Sequence, residues 1–196
     1  MKVEDIFTNL PRVETKRLIL RKMTLADAKD LFEYASDPEV VKYTLWDNHK
    51  SIEDSREFLK MAIRKYENKE VSEWGVVLKE NDKFIGTCGY AWWRPVHNRA
   101  EIGYAISRKY WGKGLMTEAV KEVIKFGFDK MQLNRIEGTC FVGNIGSQRV
   151  LEKVGMTFEG IIREQLLVKG KYRDLRMYSI LRKEYLTKRK AYKKGF

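Results

Sequence analysis

Residues 107–119 read Ser-Arg-Lys-Tyr-Trp-Gly-Lys-Gly-Leu-Met-Thr-Glu-Ala, and this stretch is the one best suited to hold a charged ligand. An apolar β-like run, residues 101–106, comes just before it. Behind it, Val120, Val123, Ile124 and Phe128 recur at helical spacing. The order is therefore strand, glycine turn, helix. A helix start leaves backbone N–H groups unpaired and carries partial positive charge. Gly112 and Gly114 let the backbone turn tightly and approach a ligand. Lys113 and the Arg108/Lys109 pair add positive charge. Together these make a phosphate cradle. The same Gly-Lys-Gly is equally compatible with an ordinary turn. It is not a P-loop, because the four-residue spacer before Gly-Lys-Ser/Thr is missing, and no Gly-x-Gly-x-x-Gly occurs in the chain.

The elements that would position this loop follow from pattern. Residues 1–13 show little periodicity and read as an arm. Residues 18–21 alternate as a first strand. Thr24, with Asp27 three residues on, opens a helix whose apolar stripe is Ala28, Leu31, Phe32 and Ala35. Pro38 starts a short helical turn. Ser51 with Asp54 caps the next helix. The loop between them holds Trp46 and His49. Strands follow at 73–78, 84–93 and 99–106, the first two joined by Asn81-Asp82. A helix over 115–131, a strand over 134–142 and a helix over 146–154 with Gly155 behind it come next. Strands at 157–168 and 172–181 complete a domain over 14–183. A Lys/Arg/Tyr-rich tail, 184–196, reads either as a solvated helix or as an RNA-contacting patch. The fold class is α/β (α+β), with a single mixed and mostly antiparallel sheet of about seven strands and about four helices.

Composition bounds the function. The 196 residues are 43% hydrophobic and 34% charged, which suits one domain with a sizeable core. No apolar run is long enough to span a membrane, and the first residues lack a signal-peptide core, so the expected location is the cytoplasm. Cys88 and Cys140 lie in apolar strand-like runs and read as buried thiols. Two cysteines and the isolated His49 and His97 offer no metal-ligand spacing. The net charge of +12 concerns partners rather than fold. It suits a polyphosphate ligand, leaves RNA proximity open, and is equally a lysine-rich solvated surface. Oligomeric state stays open between monomer and homodimer.

Residues 111–116, Trp-Gly-Lys-Gly-Leu-Met, resemble the acetyl-CoA loop of the GCN5-related N-acetyltransferase (GNAT) superfamily, whose pattern is Gln/Arg-x-x-Gly-x-Gly/Ala. Gly114 matches, whereas Trp111 and Met116 depart from the pattern. The departures resemble the RimJ/RimL-like branch of ribosomal-protein and N-terminal acetyltransferases, in which Tyr-Trp-Gly-Lys-Gly followed by Thr-Glu-Ala is common. Three further segments agree with that branch in the same order. They are Glu-Thr-Lys-Arg-Leu-Ile-Leu-Arg at 14–21, Ala-Glu-Ile-Gly-Tyr at 100–104, and Asn-Ile-Gly-Ser at 144–147 with Gly-Met at 155–156.

The resemblance implies acetyl-CoA as co-substrate, no metal, and acetyl transfer to a primary amine by direct attack in a ternary complex. It implies a sheet splayed between its fourth and fifth strands. Tyr104, Ala105 and Ile106 would then receive the pantetheine arm. Trp111, Gly112, Lys113, Gly114, Leu115, Met116 and Thr117 would hold the phosphates, with Asn144 and Ser147 beside them. Glu101 is the first candidate for general base, and Glu137 on the next strand is the second. A later position used by close relatives falls at Leu166, with Glu164 two residues away. The tyrosine that many relatives use to protonate the thiolate is replaced by Leu151. In the RimJ/RimL-like branch Ser147 takes that role. Trp46, in the loop between helices that wall the family's acceptor site, is the substrate-contact candidate.

The acceptor class follows from pKa. A lysine amine titrates at about 10.4 and an α-amine at about 7.7–8.0, a gap of roughly 3.4 kcal/mol in deprotonation cost near neutrality. Without an obvious catalytic pair, the sequence fits an α-amine at a protein N-terminus, ribosomal proteins included. The alternatives are a small amine, polyamine or antibiotic, and, in another class, a non-catalytic CoA- or RNA-binding module.

Overall fold

The computed structural model describes residues 2–194. Eight strands form a single mixed sheet. They are β1 (Val13–Glu14), β2 (Leu18–Arg21), β3 (Glu73–Leu78), β4 (Lys83–Arg94), β5 (Arg99–Ile106), β6 (Arg135–Phe141), β7 (Thr157–Val168) and β8 (Lys171–Leu181). The order across the sheet is β1-β2-β3-β4-β5-β6-β8-β7, and only β5 and β6 run parallel. The helices are α1 (Val3–Phe7), α2 (Ala28–Ala35), α3 (Pro38–Val41), α4 (Ile52–Glu67), α5 (Leu115–Asp129), α6 (Ile145–Lys153) and α7 (Arg182–Lys194).

Strand alternation sends consecutive side chains to opposite faces of the sheet, and helices cover both. Trp74 packs edge-on against Phe126 of α5, 5.2 Å between ring centroids. On the same face the Tyr90 hydroxyl donates to the Val123 carbonyl at 2.6 Å. Glu73 and Gly75, either side of Trp74, face α2 and α4. There Phe84 stacks on Tyr34 of α2, and a Cβ at Gly75 would lie 2.6 Å from the Phe84 ring. Both expected caps form: Asp27 accepts from the Thr24 N–H at 2.8 Å and Asp54 from the Ser51 N–H at 3.0 Å. Cys88 and Cys140 are free and buried.

The N-terminal arm differs from expectation, whereas the basic tail takes the helical form that is one of its two readings and packs onto α5. The arm carries α1, and its Phe7 and Leu10 are core residues. The Pro11 carbonyl accepts from the Trp74 indole at 2.7 Å, and β1 adds an edge strand beyond the seven expected. The basic tail is helical. Tyr185 stacks on Phe128 at 4.7 Å, and Arg189 pairs with Asp129 at 3.0 Å. Among the described residues, no helix is long and apolar enough to cross a membrane.

The tip of the β7–β8 hairpin reaches α3. Lys169 at its tip donates to the Val41 carbonyl at 2.8 Å. Beneath it, Phe141, Val168 and Leu175 form a small cluster with Tyr43 and Leu166. Leu166 and Leu175 of this hairpin border the region where β5 and β6 part.

Candidate active site

The glycine loop takes the backbone shape its composition demands. Gly112 and Gly114 have φ of +74° and +73°, the left-handed region open to glycine. Gly114 is the N-cap residue of α5, and no side chain caps that helix. Its first turn closes when the Glu118 N–H bonds the Gly114 carbonyl at 3.1 Å. The N–H groups of Leu115, Met116 and Thr117 therefore have no intrahelical acceptor. A Cβ at Gly112 would meet nothing within 4 Å, so the loop faces open space.

A carboxylate fixes the loop from behind. Glu118 accepts from the Thr15 hydroxyl at 2.6 Å, the Arg17 N–H at 2.9 Å and the Arg17 Nε at 2.7 Å. Arg17 also donates to the Lys113 carbonyl at 2.9 Å. An acid in the first turn suits the helix dipole, and here it ties α5 to β2. The Trp111 indole donates to the Ile106 carbonyl at 2.9 Å, closing the loop onto the end of β5.

The basic side chains beside the loop point elsewhere. Arg108 pairs with Asp37 at 2.8 Å, Lys109 pairs with Glu33, and the Lys113 amine sits 5.2 Å from the Tyr110 ring centre. The short 3-10 turn Arg108–Tyr110 aims the first two at α2 and the start of α3. Lys113 is correspondingly absent from the cavity wall. The cations lining that wall are Arg149 and Lys153 of α6, which the sequence reading missed.

The slot arises from the sheet itself. β5 and β6 pair from Arg99↔Arg135 to Ile102↔Gly138 and then separate, while β4 stays paired to β5 through Ile106. The backbone of β5 beyond Ile102 thus has an edge without a strand partner on the β6 side. Two cavities meet there. One, of about 560 Å³, is lined by Tyr104, Ala105, Ile106, Trp111, Gly112, Gly114, Leu115, Met116 and Thr117 with the start of α6. The other, of about 410 Å³, lies between the sheet, α2, α4 and the β7–β8 hairpin. Tyr43, Thr44, Tyr104, Ala105, Asn144 and Ser147 line both.

Glu101 lines the second cavity at the last turns of the β5–β6 pairing. One carboxylate oxygen accepts from the Trp92 indole at 2.6 Å and the other from the Thr139 hydroxyl. A bulge after Tyr90 brings Trp92 opposite Glu101. Glu137, the second base candidate, lines neither cavity. It is buried and bonded to Arg135 at 2.8 Å and Arg99 at 3.1 Å, so its place is in a charge network. Arg135 in that network also binds Glu159 and holds its carboxyl down at about 2. Leu166 lines the second cavity and Glu164 does not.

Ser147 sits at the junction. Its hydroxyl is 2.8 Å from the Tyr104 hydroxyl. Burial pushes the Tyr104 phenol up, with the Ser147 bond pulling the other way. Asn144 is a helix N-cap whose Oδ1 accepts from the Ser147 N–H at 3.1 Å. Trp46 lines the second cavity beside His49, ring centres 5.7 Å apart, and His49 binds Ser55 at 2.8 Å through Nδ1. Glu73, Thr139 and the Tyr104 hydroxyl escaped the sequence reading. Only the strand register places them here.

The comparisons with known proteins agree with this arrangement. The acetyltransferase (GNAT) domain family matches residues 17–157. The uncharacterized N-acetyltransferase p20 of Bacillus licheniformis is 38% identical over 171 residues, 87% of this chain and 96% of that protein. The uncharacterized N-acetyltransferase YoaA of Bacillus subtilis (strain 168) is 35% identical over 172 residues, 88% of this chain and 97% of that protein. A solved acetyltransferase (GNAT family) from Bacillus anthracis superposes with a TM-score of 0.79 at 30% identity, covering 89% of this chain and 100% of the other. The chain belongs to the acetyltransferase (GNAT) family. It is an N-acetyltransferase that uses acetyl-CoA. The free helix-start amides, the open space at Gly112 and the unpaired β5 edge fit that donor.

Proposed function

We propose that the protein transfers the acetyl group of acetyl-CoA to an α-amine, in the manner of a protein N-terminal acetyltransferase, by direct attack in a ternary complex. The observation that carries this reading is the meeting of two cavities at the β5–β6 splay, with Glu101 on the wall of one. The amides of Leu115–Thr117, with Arg149 and Lys153, hold the phosphates. The β5 edge holds the pantetheine arm. Acetyl-CoA supplies the thioester whose C–S bond breaks as the new N–C bond forms. Glu101 takes the proton from the attacking nitrogen, and Ser147 gives a proton to the departing sulfur, with Tyr104 behind it.

Both Glu101 oxygens already accept hydrogen bonds. That base suits an amine that is largely neutral near physiological pH, and an α-amine is less costly to deprotonate than lysine by roughly 3.4 kcal/mol. The test is a panel of short peptides, each offering either a free α-amine or a lysine with a blocked N-terminus, read by thiol release. The α-amine peptides are expected to react at least about tenfold faster in kcat/KM. A preference for lysine overturns the assignment.

Ser147→Ala is expected to lower kcat about tenfold with little change in the Kd for acetyl-CoA. This is less than the usual effect of losing an acid catalyst, because the Tyr104 hydroxyl lies close enough to substitute. Unchanged turnover removes Ser147 from the proton path.

A further inference from the structure

We infer that the end of the acceptor cavity at Glu73 is a subsite for a second protonated nitrogen, so that preferred acceptors carry another cationic group within reach of the reacting amine. This rests on the reading of that cavity as the acceptor site.

The strand register sets the distance between the two carboxylates. Glu73 of β3 pairs with Gly89 of β4, which pairs with Gly103 of β5, and Glu101 lies two residues from Gly103 on the same strand. Glu73 and Glu101 therefore share one face of the sheet. Their Cα atoms are about 12 Å apart from strand spacing and rise. No side chain stands between them: Gly89 lets Glu73 approach closely, since a Cβ there would lie 2.3 Å from the Glu73 Cα, and Gly103 leaves open space. The nearest atom to a Cβ at Gly103 would be the Ala91 Cβ, 3.8 Å away.

Charge and polarity point the same way. The chain carries +12 overall, yet the carboxylates lining this cavity are two against a single lysine, Lys65. Burial holds His49 below its usual range, so it adds little positive charge. Thr87 and the more distant Lys65 pull the Glu73 carboxyl down, and among the described residues Glu73 has no ion-pair partner within 4.0 Å. Burial pushes its carboxyl up, the mark of an anion short of compensation. A bound cation would supply that compensation.

Ser72 provides an independent sign. It lines the same cavity, is 3% exposed, and among the described residues its hydroxyl has no hydrogen-bond partner. Buried hydroxyls without partners are uncommon in native structures and call for a missing one. An ammonium at Glu73 offers several N–H donors. Trp46 and Phe58, whose rings wall the cavity, can also face a cation. The second nitrogen could belong to a small diamine or to a basic side chain beside a peptide α-amine, and the chemistry is the same.

The experiment compares matched acceptors with the full chain and Glu73→Gln. One arm pairs cadaverine with n-pentylamine. The other pairs Ser-Lys-Ala with Ser-Leu-Ala, with lysine side-chain acetylation scored separately by mass. In the wild type the cationic member of at least one pair is expected to win in kcat/KM by about tenfold or more, through KM, and Glu73→Gln is expected to abolish the preference. The winning arm identifies the source of the charge. A ratio near one in both arms of the wild type, or a preference that survives in Glu73→Gln, overturns the subsite. The wild-type ratio decides even if the variant folds poorly. Acetylation without discrimination removes the subsite alone, whereas CoA binding without acetylation of any amine removes the function it rests on as well.

Discussion

Gly114→Val is expected to weaken CoA binding about a hundredfold while leaving the protein folded. At φ +73° a β-branched residue is strained by about 1–3 kcal/mol. Space is not the obstacle, since a Cβ there would sit 3.7 Å from Arg17, an ordinary contact. The backbone can relieve the strain only by turning Gly114 out of the left-handed region. That re-aims the N–H groups at the start of α5, which are the donors facing the cavity. Glu118 and Arg17 hold the rest of the turn in place, so the damage should stay local.

The measurement is thermal unfolding with and without CoA. At a concentration 100 times the wild-type Kd, CoA should stabilise the wild type by about 2.7 kcal/mol and the variant by about 0.4 kcal/mol. Gly114→Asn should lie between them, because asparagine tolerates the left-handed conformation. Equal stabilisation of all three would mean that the phosphates are held somewhere else.

The loop was legible because its features are local. Glycine at two left-handed positions, an apolar strand before and a helical stripe behind can all be read along the chain. The direction of its lysines and arginine could not be read that way. Arg108, Lys109 and Lys113 are adjacent to the loop in sequence, but a 3-10 turn and an aromatic ring decide where they point. Arg149 and Lys153 reach the cavity from a helix more than thirty residues later.

Burial at the ends of the chain was hidden for a related reason. Phe7 and Leu10 sit in segments too short for a period to show, and only packing against the finished sheet makes them core. In α7 the lysines mask Tyr185, whose partner Phe128 is on α5. Glu73 read as the first residue of an apolar strand. Its place on the same face as Glu101 depends on two strand pairings and two glycines. Glu101 and Glu137 looked alike as strand carboxylates in neighbouring positions. They differ because Arg99 and Arg135 converge on Glu137, whereas neutral donors reach Glu101.

That difference makes Glu101→Gln the most informative substitution for the chemistry. Glutamine keeps the size and can keep both contacts: its carbonyl accepts from the Trp92 indole, and the Thr139 hydroxyl can rotate to accept from its amide. What it loses is the capacity to take a proton. Near neutral pH, kcat/KM for an α-amine acceptor is expected to fall about 10²–10⁴-fold. CoA affinity should change little, because the loop and the β5 edge are untouched.

The deficit should narrow as pH rises past the amine's own pKa of about 7.7–8.0, because the substrate then arrives neutral. With a lysine-type amine of pKa about 10.4 the same recovery should need a far higher pH. The measurement is log kcat/KM against pH for both proteins with both amines. A deficit that stays constant at alkaline pH would assign Glu101 a positioning role instead. Wild-type activity in the variant at neutral pH would move the base to another group on the cavity wall.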